Sequence, residues 1–167
     1  MTISLMVGAL AMLAACGPKD NTSFKIEDAF VRTTPMKVSA GYFIITNNSG
    51  QNDVITGIEA NWAGRVELHN TVMGKDDVMT MQPMQNVPIM AGQTLAFRPG
   101  SMHVMLFDLK EPLDVGETRK ARILFQSARP LTVKFKVKPI TYKGVGSDTD
   151  APTVEKTPAE MIEEHHH

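Results

Sequence analysis

An all-β fold is predicted, an antiparallel sandwich or Greek-key barrel of about 8–9 strands in a single domain. Three observations predict it. Short β-rich segments alternate apolar and polar residues, turn clusters separate them at short intervals, and no stretch sustains a capped helical period. Segment 24–32 alternates and is rich in β-formers. Segment 41–46 is a strong strand closed by Asn47-Asn48-Ser49-Gly50, a cluster of turn residues. Segments 54–58, 65–72 and 78–81 follow. Segment 94–97 ends at Pro99-Gly100, and 103–109, 117–125 and 131–137 complete the set. The pattern of many short strands between turns is that of sandwiches and barrels.

The flanks differ from this domain. The apolar stretch from Met6 to Ala15 is too short to span a bilayer and reads as the core of an export signal. Leu13-Ala14-Ala15-Cys16-Gly17 resembles the bacterial lipobox, in which the cysteine becomes the lipidated first residue of the mature protein. Residues 1–12 lack the Lys or Arg usual in such signals, which a start codon assigned too far downstream would explain. The alternative is a cleaved signal with a free Cys16. The expected organisation is a signal at 1–16, a polar tether at 17–23, a β domain at 24–140 and a polar, disordered tail at 141–167. The expected location is the periplasmic side of a bacterial membrane, anchored through Cys16. Cys16 is the only cysteine, so the mature domain has neither a disulfide nor a thiolate ligand.

The net charge is −1 with both signs interspersed. No basic field points to nucleic acid. The unusual feature is methionine: the chain holds 12 Met against 7 Phe. Many of them crowd the region from Met73 to Met105, around His69 and His103, the only histidines before the C-terminal run. Core filling explains isolated methionines but not this crowding.

His69, Met81, His103 and Met105 form a candidate metal set. Residues two apart in a strand share a face. His103 and Met105 therefore project together, with Val104 and Leu106 turned to the core. Glu67 and His69 lie opposite the apolar Val66 and Leu68, and Met79 and Met81 share a face. Should these strands neighbour one another, two imidazoles and two thioethers can converge. Thioether sulfur is a soft, neutral donor, so the set selects Cu(I) over Zn, Mg or Ca. Met79, Met84 and Met102 read as packing or rim residues. Met73 could shield or transiently hold copper. Trp62 reads as a buried anchor. The run His165-His166-His167 reads as a cloning scar or a native tail. The retained signal favours the tail, which would then be a secondary site capturing Cu(II).

The spacing carries a family resemblance. His69-Asn70 is followed by ten residues, Met81, twenty-one residues, and His103-Val104-Met105. This resembles the motif of the periplasmic PCu(A)C copper chaperones: His, commonly Met, ten residues, Met, twenty-one residues, His, any residue, Met. Asn70 replaces the common but non-essential Met. Further blocks are similar, including Glu27-Asp28-Ala29-Phe30-Val31-Arg32, Ala40-Gly41-Tyr42-Phe43 and Arg65 through His69. So are Pro99 through Leu106 and Leu113-Asp114-Val115-Gly116. The similarity spans about residues 24–139.

The resemblance implies a cupredoxin-like barrel that delivers Cu(I) to the dinuclear copper centre of cytochrome c oxidase. The implied partners are that oxidase subunit and a Sco-type thiol protein. Copper sequestration or tolerance is the nearest alternative. Blue-copper electron transfer needs a Cys ligand, which the domain lacks. An adhesive or structural sandwich leaves the His/Met spacing a coincidence. An enzyme is not expected: the sequence shows no nucleophile–base pair, no zinc-hydrolase pattern and no phosphate-binding Gly loop.

Overall fold

The computed structural model describes residues 23–74 and 78–145. Ten strands form: β1 (Phe24–Arg32), β2 (Val38–Asn47), β3 (Asp53–Glu59), β4 (Arg65–Met73), β5 (Met79–Met84), β6 (Val87–Ile89), β7 (Thr94–Phe97), β8 (His103–Phe107), β9 (Thr118–Phe125) and β10 (Leu131–Lys138). There is no helix among the described residues. The expected all-β class holds.

The strand order is β5-β4-β8-β2-β1-β10-β9-β3-β6, with β7 on β2. The two end strands do not pair with each other, so the sheet is open rather than a closed barrel. All pairings are antiparallel except β1 with β10. Strand β2 serves two neighbours along one edge. Residues 38–41 pair with β8 and residues 43–46 with β7.

The strand beyond the expected count is β6. It has three residues with Pro88 in the middle, and Pro cannot donate to a ladder. Both Pro83 in β5 and Pro88 in β6 lie on end strands, where a missing donor costs no internal bond. The two strands thereby cap the open edges of the sheet against further pairing.

One core fills the interior. Phe43, Phe97, Phe135, Ile45, Leu106 and Val104 are all but inaccessible. Phe43 stacks on Phe97 at 4.4 Å. Trp62 is buried in this core, as the sequence suggests, and its indole Nε1–H donates to the Lys120 carbonyl at 2.8 Å. Asn47 is fully buried yet satisfied. Its amide donates to Gln51 and Ile89 carbonyls, and its oxygen accepts from Ser49. A turn-forming Asn thus ties β2 to the β6 end.

The junction of β4 with β8 positions the candidate site. It closes at Gly64, whose N–H reaches the carbonyls of Phe107 and Asp108 at 3.0 and 3.1 Å. A Cβ on residue 64 would lie 2.9 Å from the Asp108 Cβ, so only glycine lets the chains approach this closely. Residues 141–145 pack back onto the sheet. Tyr142 meets Phe30 edge-on at 4.8 Å, its carbonyl accepts from Arg32, and the Val145 N–H donates to Asp28.

Candidate metal centre

Register brings the two histidines together. Strands β4 and β8 pair antiparallel with His69 opposite His103, Glu67 opposite Met105 and Arg65 opposite Phe107. Directly opposed residues share a face, so this ladder lies on the face away from Val104 and Leu106. The imidazole centroids are 5.9 Å apart. Met105 stands two residues along β8, flanked by Glu67 on one side and Ala40 of β2 on the other. The small Ala40 leaves room over the thioether.

Met81 comes from the far side of β4. In the β4–β5 ladder His69 opposes Pro83 and Thr71 opposes Met81. Met81 is therefore on the same face as His69, one diagonal step away. All four predicted residues share one face of three adjacent strands, but their exposure is graded. His103 is 4% exposed and Met105 is half-buried, whereas Met81 is 62% exposed.

A row of rings explains the burial of His103. Tyr142, Phe30, Tyr42, His103 and His69 follow one another at centroid distances of 4.8, 4.9, 6.4 and 5.9 Å. The row covers the middle of this face and leaves the histidines at its edge. Arg32 lies over the Tyr42 ring at 5.1 Å, and Arg65 over Phe107 at 4.0 Å. Burial pushes the Tyr42 hydroxyl above its ordinary pKa, against the attraction of Arg32.

Two groups fix the imidazoles. His103 Nδ1 lies 2.8 Å from the Ser101 carbonyl. A carbonyl only accepts, so Nδ1 carries the proton and Nε2 keeps its lone pair. His69 Nε2 lies 2.8 Å from a Glu67 carboxylate oxygen. Nε2–H donates there, and Nδ1 keeps the lone pair. That Nδ1 is buried and has no hydrogen-bond partner among the described residues. An unpaired buried polar atom costs about 1–3 kcal/mol and is the kind of group a ligand satisfies. Donation of one ring nitrogen to a carboxylate or carbonyl is how metal-binding histidines are oriented.

Burial favours the neutral form of His103. Burial holds His103 below the ordinary imidazole value of 6.5, outweighing the Ser101 carbonyl that favours the proton; His69 nearby adds to the lowering. Donation from His69 holds the Glu67 carboxyl below its ordinary value, with Arg65 assisting. Glu67 also bonds Arg65 directly.

Sequence reasoning missed Glu67 and Ser101 as orienting groups. The Glu67-x-His69 spacing signals the first, because both share a face. Ser101 acts through its backbone carbonyl, which no side-chain pattern reports. Met73 opposes Met79 at the end of the β4–β5 ladder. Met84 and Met102 pack against the core, whereas Met79 is exposed. Cys16 and His165, His166 and His167 lie outside the described residues. Among the described residues no three His, Cys, Asp or Glu side chains gather as a metal site. The other candidate donors on this face are the thioethers of Met81 and Met105, one diagonal step from His69 on either side.

Comparison with known proteins gives a consistent picture. The family model described as "Putative lipoprotein LpqE-like" matches residues 24–137. The chain is 29% identical over 121 residues to "Putative lipoprotein Lxx21020" of Leifsonia xyli, covering 71% of this chain and 72% of that protein. Among solved structures, the apo form of DR1885 from Deinococcus radiodurans is 27% identical with a TM-score of 0.56, covering 83% of this chain and 94% of that one. Its Cu(I) form is 28% identical with a TM-score of 0.54, covering 75% and 85%. The copper-bound PCuAC domain from PmoF2 shares the fold with a TM-score of 0.59 at 18% identity, covering 70% and 93%. The fold is thus the cupredoxin-like one of PCuAC domains. With a match across nearly all of the described strands, this chain belongs to the LpqE-like family.

Proposed function

We propose that the chain is an exported Cu(I) metallochaperone that holds its cargo with His69, Met81, His103 and Met105. The observation that carries this reading is the cross-strand His69–His103 pair, each ring oriented by its own acceptor, with Met105 and Met81 on the same face. The likeness to DR1885, solved with Cu(I), supports it.

Each residue has a distinct task. His69 offers Nδ1, held in place by Glu67 at Nε2. His103 offers Nε2, held by the Ser101 carbonyl at Nδ1. Met105 supplies a half-buried sulfur, and Met81 supplies an exposed one. Soft neutral sulfur beside imidazole favours Cu(I) over harder ions. The domain has no thiolate, so an acceptor that has one can take the cargo. The graded burial suits this exchange: a docked partner meets the exposed Met81 first, while His103 is buried and His69 only partly exposed. Binding and release of this kind need no covalent chemistry, and the protein is not an enzyme on this reading.

The proposed acceptor is the dinuclear copper-centre subunit of cytochrome c oxidase, with a Sco-type thiol protein as co-worker. The lipoprotein descriptions of the family and of the Leifsonia relative support a membrane anchor through Cys16 on the periplasmic side. Sequestration is the competing use of the same site. Mixing the Cu(I)-loaded chain with metal-free oxidase copper-centre domain, under reducing anaerobic conditions, separates them. Delivery predicts that most of the copper is found on the oxidase domain after the two are resolved. Copper that stays on the chain at equilibrium would favour sequestration.

A further inference from the structure

Three methionines on the β4–β5 hairpin have no role in the core. Met73, Met79 and Met81 are 62%, 56% and 62% exposed, which removes the packing explanation that suits Met84 and Met102. Met36 and Met90 are also exposed, but they lie in separate loops before β2 and after β6.

The register places these three together. Met73 directly opposes Met79, and Met81 opposes Thr71, one pair nearer the histidines. All three therefore stand on the ligand face. Opposed Cβ atoms lie about 4.5–5.5 Å apart and diagonal neighbours about 7–8 Å. A methionine side chain has three rotatable bonds, so three sulfurs at these spacings can close on one ion. Strand β5 is at the end of the sheet, which leaves this corner open to solvent.

We propose that Met73, Met79 and Met81 form an outer, all-thioether Cu(I) site that feeds and drains the inner site through the shared Met81. Its use as a way station rests on the copper reading given above; the site itself needs only the three thioethers. Three neutral soft donors select Cu(I) over harder divalent ions and hold it less firmly than a set that includes imidazole. Passage inward makes bonds from copper to the imidazole nitrogens and Met105 as those to Met73 and Met79 break, with Met81 attached throughout. Copper remains Cu(I), no electron moves, and thioethers have no proton to release.

The test is a Cu(I) titration of the full chain carrying 13C-methyl methionine, followed by position-resolved NMR under reducing anaerobic conditions. In a His69→Ala, His103→Ala background the methyl signals of Met73, Met79 and Met81 should shift together and saturate at one equivalent. Adding Met73→Leu and Met79→Leu should abolish the Met81 shift. In the unsubstituted chain the first equivalent should move Met105 and Met81, and Cu(I) beyond it should move Met73 and Met79 and shift Met81 again, as its sulfur exchanges between the two ions. This serves equally if the histidine variant does not fold. Signals of Met73 and Met79 that stay fixed in both chains would overturn the outer site. Failure of the inner site is read separately, as a first equivalent that leaves Met105 unmoved.

Discussion

Replacing His103 and Met105 together with alanine should remove tight Cu(I) binding. The unsubstituted chain is expected to take one tight equivalent in a competitive titration against a chromophoric Cu(I) chelator. Loss of a partner that merely orients a ligand typically costs 10- to 100-fold in affinity. Loss of two of four donors should exceed that, so the expected fall is more than about 100-fold, or about 2.7 kcal/mol. His103 is buried beside Tyr42, and its removal leaves a cavity. Met105→Leu alone therefore serves as the conservative partner. It keeps the volume next to Ala40 and removes only the sulfur. It should weaken binding without altering the thermal transition of the metal-free chain. Equal affinity in the double variant would mean that copper binds elsewhere.

The second large effect is acid release. Neither thioether carries a proton to displace, so only the imidazoles couple copper to pH. His103 is held below 6.5 by burial, and it stays neutral through the neutral range. Affinity should be level between about pH 8 and 7, then fall steadily below about pH 6.5. Once both imidazoles compete with protons, the fall approaches a hundredfold per pH unit. The metal-free fold follows the same sign. The unfolded chain takes up the histidine proton first as pH drops through about 6.5. The stability contributed by neutral His103 is thus complete above that value, and it declines as pH falls toward the lower folded pKa. Chelator competition across this range, with thermal unfolding of the metal-free chain beside it, checks both. Affinity unchanged down to pH 4 would exclude imidazole ligands. A fall beginning well above pH 7 would implicate a thiol or amine.

The residues differ in how openly they announce their places. Period-two alternation made most strands legible, and it set Val104 and Leu106 inward with His103 and Met105 outward. The same rule put Glu67 and His69 on one face. Alternation says nothing of register, however, and the site depends on His69 standing opposite His103 rather than two residues along. That register is fixed partly at Gly64, where backbone meets Asp108 too closely for any Cβ. Strand β6 escaped notice because Pro88 interrupts a three-residue segment. The parallel pairing of β1 with β10 joins residues more than a hundred positions apart, beyond any local pattern. Nor could spacing show that Tyr142 and Phe30 extend a row of rings that buries His103, or that Met81 is left exposed. The motif named the candidate donors; the packing grades their exposure from His103 to Met81.

On the proposed function, one Cu(I) is held by two imidazole nitrogens and two thioether sulfurs. X-ray absorption at the copper edge, on the full chain loaded with one equivalent of Cu(I), reads this donor set directly. The expected spectrum is that of Cu(I) with two nitrogen and two sulfur neighbours, and Met81→Leu with Met105→Leu should remove the sulfur contribution. A first shell of nitrogen or oxygen alone, or a sulfur contribution that survives that double substitution, would contradict the account.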